Sequence, residues 1–325
     1  DTLSSYDRGP GSARVEAMRP TNPIERLRIT AVSRTVGLFA HAGDPMEHTL
    51  DYKGDPGLFG PDAISWEVMG DVSGFIGGIR ALLVQAAHPE VVAGVADHSR
   101  YREDPLGRLS RTSAYVTATS FGAMPEVEAA VQFVRRAHRP VQGVSHRGLP
   151  YSADEPALAA WVHNSLTDSF LRAYREYGER ELTTREADRF VAEQSLIGRL
   201  LDADPLPQTE VELSDWVAGN PAVGPSPGMR EAVDFLREPP LDPAVLFAYR
   251  LLASAAIVTV PPRIRRALAL KPRPGAQLVG RSSMRAMRWA LGSSPRWRMA
   301  LERVGAPIPE HRFKQKRPFE TLEAA

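Results

Sequence analysis

Apolar residues along this chain recur at steps of three and four, and proline and glycine break the pattern into segments. Such spacing marks amphipathic helices; a half-buried strand would alternate apolar with polar, and no run of strict alternation stands out. The pattern predicts a first helix from Pro23 to Ala40, carried by Ile24, Leu27, Ala31 and Leu38, and a short one beginning at Asp62. Further helices are predicted over 72–87, 89–97, 105–121, 125–141, 154–177, 184–203, 228–237, 243–258, 262–270, 276–291 and 295–304. Residues 1–22 are rich in Ser, Gly, Pro and charge and read as an extended, flexible N-terminal arm. The expected fold class is therefore all-α. One multi-helix domain would occupy residues 23–310, with a basic tail over 311–325.

Local signals support several boundaries. Asp62 and Asp154 stand where N-caps are expected, and Thr183-Thr184-Arg185-Glu186 has the form of a capping box. Gly178 lies where a helix C-terminus is expected, and residues 219–228, with three prolines, read as a loop. Two motifs resemble catalytic signatures without their context. Gly224-Pro225-Ser226-Pro227-Gly228 matches G-x-S-x-G, but prolines flank Ser226 and no strand precedes it, so it reads as a surface turn. Gly74-Phe75-Ile76-Gly77-Gly78 lacks the dinucleotide spacing, and its glycines read as sites of close helix packing.

Two polar intrusions into the apolar pattern carry candidate chemistry. On the 125–141 segment, Val127, Val131, Val134, His138 and Val141 form one stripe, flanked by Arg135, Arg136 and Arg139. A titratable ring on a core-facing stripe must be hydrogen-bonded, neutralised or bound to a metal. The pattern leaves His138 open between a buried structural histidine and an iron ligand, whose neighbouring arginines would neutralise haem propionates. About thirty residues upstream, Arg108 and Thr112 share a helix face with Tyr115 and Thr119. An arginine and a hydroxyl aimed at one spot can hold dioxygen, peroxide or a carbonyl; the competing reading pairs Arg108 with Asp104. Of the other histidines, His88 reads as a cap and His98 and His146 as locally bonded. His163 reads as an inward-facing core histidine that could also support the site.

Composition narrows the chemistry. The chain of 325 residues has no cysteine, which excludes disulfides, iron–sulfur clusters, thiolate-ligated haem and a cysteine nucleophile. The longest apolar stretch, Leu251 to Val260, is about half of the ~20 residues a membrane-spanning helix needs. The first residues, Asp1-Thr2-Leu3-Ser4-Ser5, carry no secretory pattern, so a cytoplasmic location is the default expectation; an upstream leader stays open because the chain starts at Asp1. The net charge of +1 hides an asymmetry: from Pro261 onward fifteen Lys or Arg face four acids. This basic segment either packs on a more acidic body or makes peripheral contact with an anionic membrane surface. No nucleic-acid motif accompanies it.

Five stretches together resemble a known family: Gly77-Gly78-Ile79-Arg80 through Ala87-His88-Pro89; Asp104-Pro105-Leu106-Gly107-Arg108-Leu109-Ser110-Arg111-Thr112; Ala137-His138-Arg139-Pro140-Val141-Gln142-Gly143; Pro150-Tyr151-Ser152-Ala153; and Trp161-Val162-His163. In this order they are similar to the haem-b oxygenases that include latex-clearing protein, a rubber oxygenase, and the fungal ER-bound oxygenase of mycophenolic acid biosynthesis. The likeness covers residues 62–270. It implies an all-α domain enclosing haem b, with His138 of the H-x-x-V motif as axial iron ligand. It also implies Arg108 and Thr112 of the R-x-x-x-T motif on the distal side; from the residue pattern Arg111 and Tyr115 would stand near them, with Arg135, Arg139 and His163 around the cofactor. Latex-clearing protein has a lysine before the distal threonine that caps the iron; Arg111 stands there in this chain, so that capped state is not expected. The implied partners are O2, a small apolar organic substrate and an electron donor. A haem peroxidase or oxidase, a haem carrier or sensor, and a non-haem iron site built from His138, His163 and Glu193 are the other readings the residues leave open.

Overall fold

A computed structural model describes residues 43–314 of the chain. The predicted arm, the helix predicted from Pro23 to Ala40 and residues 315–325 lie outside the described residues. Among those described, the chain forms thirteen α-helices, two short 3-10 turns and one two-stranded hairpin. In chain order the helices are α1 (Ile64–Gly70), α2 (Gly74–Gln85), α3 (Pro89–His98), α4 (Pro105–Phe121), α5 (Met124–His138), α6 (Pro156–Tyr177), α7 (Thr184–Arg199), α8 (Glu210–Gly219), α9 (Pro227–Arg237), α10 (Pro243–Thr259), α11 (Pro262–Ala267), α12 (Ala276–Leu291) and α13 (Pro295–Val304). The expected all-α class holds, and no described helix is long and apolar enough to cross a membrane.

The central pair is α2 against α6, with α10 and α12 stacked beside it. Close approach is possible because α2 carries glycine at the seam: a Cβ on Gly77 would lie 2.9 Å from Phe170 Cδ1 and 3.3 Å from the Ser169 carbonyl oxygen. A buried ion pair crosses the same interface, Arg80 Nη2 to Asp168 Oδ2 at 2.7 Å. On the other side α1, α7 and α13 bury Trp66, Ile197, Trp297 and Leu301, together with Phe121 at the end of α4.

Some predicted boundaries move, for local reasons. The stripe predicted over 125–141 stops at His138. Pro140 has no N–H to continue the ladder, and Val141 passes into strand β1 (Gln142–Val144), which pairs antiparallel with β2 (Pro150–Ser152). Neither three-residue strand is long enough to show alternation. Helix α8 was not predicted, although its N-cap signal is present: Thr209 Oγ1 accepts from Glu212 N at 3.3 Å, and Glu212 accepts from Thr209 N at 3.2 Å. Asp62 and Asp154 cap nothing, since Ala63 and Glu155 occupy the N-cap positions. The Thr183–Glu186 box forms as expected, and Ser226 of the G-x-S-x-G match caps α9 by accepting from Met229 N at 3.0 Å.

The packed body reaches into the segment read as a tail. Phe313 is buried, sits 5.4 Å from the Trp297 ring and bridges to Gly292. Part of the basic segment neutralises acids of the body: Arg288 meets Asp71 at 2.6 Å, and Arg312 meets Glu67 at 3.4 Å.

Candidate functional site

Helices α4 and α5 form an antiparallel hairpin turned at Gly122 and Ala123. Arg108 lies fourteen residues before Gly122 and His138 fifteen after Ala123, so both stand at the open end, about 20 Å from the turn at 1.5 Å per residue. The ends of two further helices close on that region. Arg135 of α5 meets Asp202 at 2.7 Å and the Leu200 carbonyl at 2.8 Å, which ties α5 to the end of α7. Asn164 of α6 donates to the Pro205 carbonyl at 2.9 Å, just beyond the same end.

Helix α4 is started by Asp104, whose carboxylate accepts from Gly107 N at 2.9 Å, with Pro105 in the first turn. The Asp104 carboxylate pairs with Arg111 at 3.2 Å, not with Arg108. Arg108 is half-buried and meets no carboxylate among the described residues; its guanidinium carbon lies 5.8 Å from the Tyr101 ring centre. Burial disfavours its charge, and the Tyr101 hydroxyl only partly offsets this. Thr112 is exposed, and its hydroxyl donates to the Arg108 carbonyl at 3.1 Å. The Tyr115 hydroxyl is buried with no partner among the described residues, and burial pushes its pKa up, so it stays protonated.

Below this face α4 meets α1, α6 and α7 around a cavity of about 20 Å3, lined by Tyr115, Thr119, Ser120, His163 and Gln194 among others. Burial lowers the His163 pKa to about 4, against a weaker opposing hydrogen bond to the Gln194 backbone, so the ring is neutral near pH 7. Ser120 and Gln194 were not singled out from sequence. Ser120 adjoins Thr119 but lies one step off the predicted face, and nothing local marks it.

His138 is the last residue of α5 and only half-buried, where Val127 and Val131 earlier on the stripe are buried. Its ring has no hydrogen-bond partner among the described residues, and burial lowers its pKa while Asp154 pulls weakly the other way. The result is a neutral imidazole with a free lone pair. Arg139 is exposed and meets no acid among the described residues, whereas Arg135 is occupied by Asp202. Large apolar side chains are exposed on all four helices of this end: Leu109 at 38%, Phe133 at 51%, Val162 at 38% and Leu196 at 37%.

These residues fit a haem in donor chemistry. The group needs one neutral protein ligand, apolar walls for the ring and cations for its carboxylates, and residues of each kind occur on these four helices. The enclosed cavity itself is water-sized, so the tetrapyrrole would lie outside it, against the exposed apolar side chains. A bare metal ion fits less well: no cluster of three or more His, Asp or Glu suited to one occurs among the described residues. Glu193 is held by Arg189 at 2.8 Å and accepts from Ser65 N at 2.8 Å. A larger open groove of about 370 Å3, lined by Val92, Asp97, Arg102, His146 and Glu231, lies between α3, the hairpin and α9 and holds none of the candidate residues.

A family profile described as "ER-bound oxygenase mpaB/B'/Rubber oxygenase, catalytic domain" matches residues 66–289. The chain belongs to this family of oxygenase catalytic domains. No match was found among curated proteins or among solved structures.

Proposed function

We propose that the protein is a haem b-dependent oxygenase that uses O2 to oxidise or cleave a small apolar, isoprenoid-like substrate, with electrons from a separate donor. The observation that carries this reading is that three groups on the α4–α5 pair lack protein partners among the described residues: the Arg108 guanidinium and the Tyr115 hydroxyl, seven residues apart on α4, and the His138 imidazole at the end of α5. Polar groups withdrawn from water are normally satisfied, so these three point to a use outside the protein.

His138 would hold the iron through its neutral ring, and Arg139 would meet a propionate. When bound, the haem would supply the activation of O2 and its transfer to carbon. Arg108 would place a fixed positive charge where negative charge develops, at no cost of reorganisation. Tyr115, kept protonated, would hold a proton at its oxygen on the same face. Thr112 would offer its lone pairs, since its own proton is bonded to the Arg108 carbonyl. Arg111, paired with Asp104, would stand at the rim. Leu109, Phe133, Val162 and Leu196 would exclude water and receive the apolar substrate.

The test is the absorption spectrum of the haem-loaded chain before and after His138→Ala. The expected result is a Soret band in the wild type that is lost or strongly shifted on substitution, with the unfolding midpoint of the haem-free chain unchanged. A wild type that takes up no haem, or an identical spectrum in the variant, overturns the reading.

A further inference from the structure

From Pro261 to Leu301 the chain contains ten Lys or Arg and no Asp or Glu. Three of the ten meet acids of the body, as Arg288 does Asp71 and Arg281 does Glu176 at 2.7 Å, and Arg298 meets Glu310 of its own segment. The other six, Arg263, Arg265, Arg266, Lys271, Arg273 and Arg285, meet no carboxylate among the described residues. Arg263, Arg265 and Arg266 bond only to backbone carbonyls. Lys271 and Arg273 are fully on the surface, in the short connection that leads into α12.

Helix α12 adds the second half of the observation. Its inner face buries Ala276, Gly280, Met284 and Ala290. Its outer face is not simply polar. Leu278, Ser282, Arg285 and Trp289 follow at steps of four, three and four, so they share one outward stripe. Leu278 is 68% exposed and Trp289 51% exposed, one near each end of the helix. A helix that packs its small residues inward and presents leucine, arginine and tryptophan outward has the composition of one lying in a bilayer interface. There arginine meets headgroup phosphates and tryptophan settles at the polar boundary.

We infer that the outer face of α12, with the unpaired cations leading into it, is a docking surface for an anionic lipid membrane. Charge complementarity selects this partner: a strip of unneutralised cations needs a polyanion, and exposed Leu278 and Trp289 need an apolar phase beside it. A nucleic acid would satisfy only the first need. The surface is independent of the α4–α5 site and stands whatever cofactor that site takes.

The test is flotation of the full chain with phosphatidylcholine vesicles that do or do not contain phosphatidylserine, at low and at high salt, with tryptophan fluorescence as a second readout. The expected result is binding to the phosphatidylserine vesicles that weakens as salt rises, with a blue shift of emission that disappears in Trp289→Phe. Lys271→Gln and Arg273→Gln should each weaken binding about fivefold, and Leu278→Ser should weaken it at all salt concentrations. All are exposed positions, and unchanged unfolding midpoints check that the variants fold. Absence of binding at low salt, equal binding to pure phosphatidylcholine, indifference to these substitutions, or capture of a single-stranded RNA in place of vesicles each overturns the inference. A chain that binds vesicles but no haem sinks only the oxygenase mechanism above, and the converse leaves that mechanism intact.

Discussion

Two arginines, one on α2 and one on α4, have opposite surroundings. Arg80 on α2 is 1% exposed and fully engaged. It pairs with Asp168 at 2.7 Å, donates to Ser169 Oγ at 2.7 Å and shares the Thr259 carbonyl through two nitrogens at 3.2 Å. Those bonds join α2, α6 and the last residue of α10. Arg108 on α4 is also withdrawn from water, yet it has an aromatic ring for company and no anion among the described residues. The first arrangement accounts for itself as architecture. The second disfavours the charge and returns no bond from the described residues. Burial alone therefore does not predict which polar group is paired.

Substitution at the two positions tests this contrast most directly. Arg80→Met leaves Asp168 as a buried charge with only Arg172, 3.7 Å away, as a weak remaining partner. The expected loss is about 3–5 kcal/mol, read from denaturant midpoints. Arg108→Met removes no ion pair, and the haem-free chain should keep its midpoint or gain stability. Equal losses at the two positions would mean that Arg108 has a structural partner, and the distinction would collapse.

The pH dependence of stability probes burial at two histidines. Burial lowers the pKa of both His88 and His163 to about 4, from an ordinary value of 6.5. His88 sits among charges: its Nδ1 has no hydrogen-bond partner among the described residues and lies 3.4 Å from Glu90, whose carboxylate Arg147 holds. His163 faces the cavity beneath Tyr115. In the unfolded chain both rings take a proton near pH 6.5, while the folded chain refuses it until about pH 4. Their contribution is complete above pH 6.5 and is lost as pH falls from there toward 4, by up to about 3 kcal/mol for each ring. Unfolding midpoints at pH 7, 5.5 and 4 should fall in that order, and a flat profile would show that neither ring is buried as a neutral group.

How far the sequence speaks follows the same division. Helix α4 was legible over its full span, because Asp104-Pro105 starts it and Gly122 ends it by local chemistry. The stripe on α5 was legible as far as His138, but its continuation to Val141 was wrong. Periodicity cannot tell whether a chain leaves a helix before Pro140 to enter a short hairpin. The Arg108–Thr112–Tyr115 face was visible as a spacing. That Asp104 binds Arg111 and leaves Arg108 unpaired was not, since both arginines lie within its reach along the helix. That the hydroxyls of Tyr115 and Ser120 find no partner among the described residues had no sequence signal. Lacking a partner depends on every element that packs nearby, and no local pattern encodes it.

The mildest test concerns a polar group that is partnered but not deeply buried. Thr209 caps α8 by accepting from Glu212 N, and Glu212 returns the bond to the Thr209 backbone. Both partners reach water, so losing the cap exposes donors that solvent can satisfy. Thr209→Ala should therefore cost only about 1 kcal/mol, the ordinary value of an N-cap. The figure matters beside Arg80. If partnership alone set the energy, the two substitutions would cost alike; if burial multiplies the value of a partner, Arg80→Met must exceed Thr209→Ala several-fold. Denaturant midpoints of the two variants under one buffer decide between these. A cost at Thr209 equal to that at Arg80 would show that α8 is held by its cap rather than by Leu213 and Val217, the buried residues of its inner face.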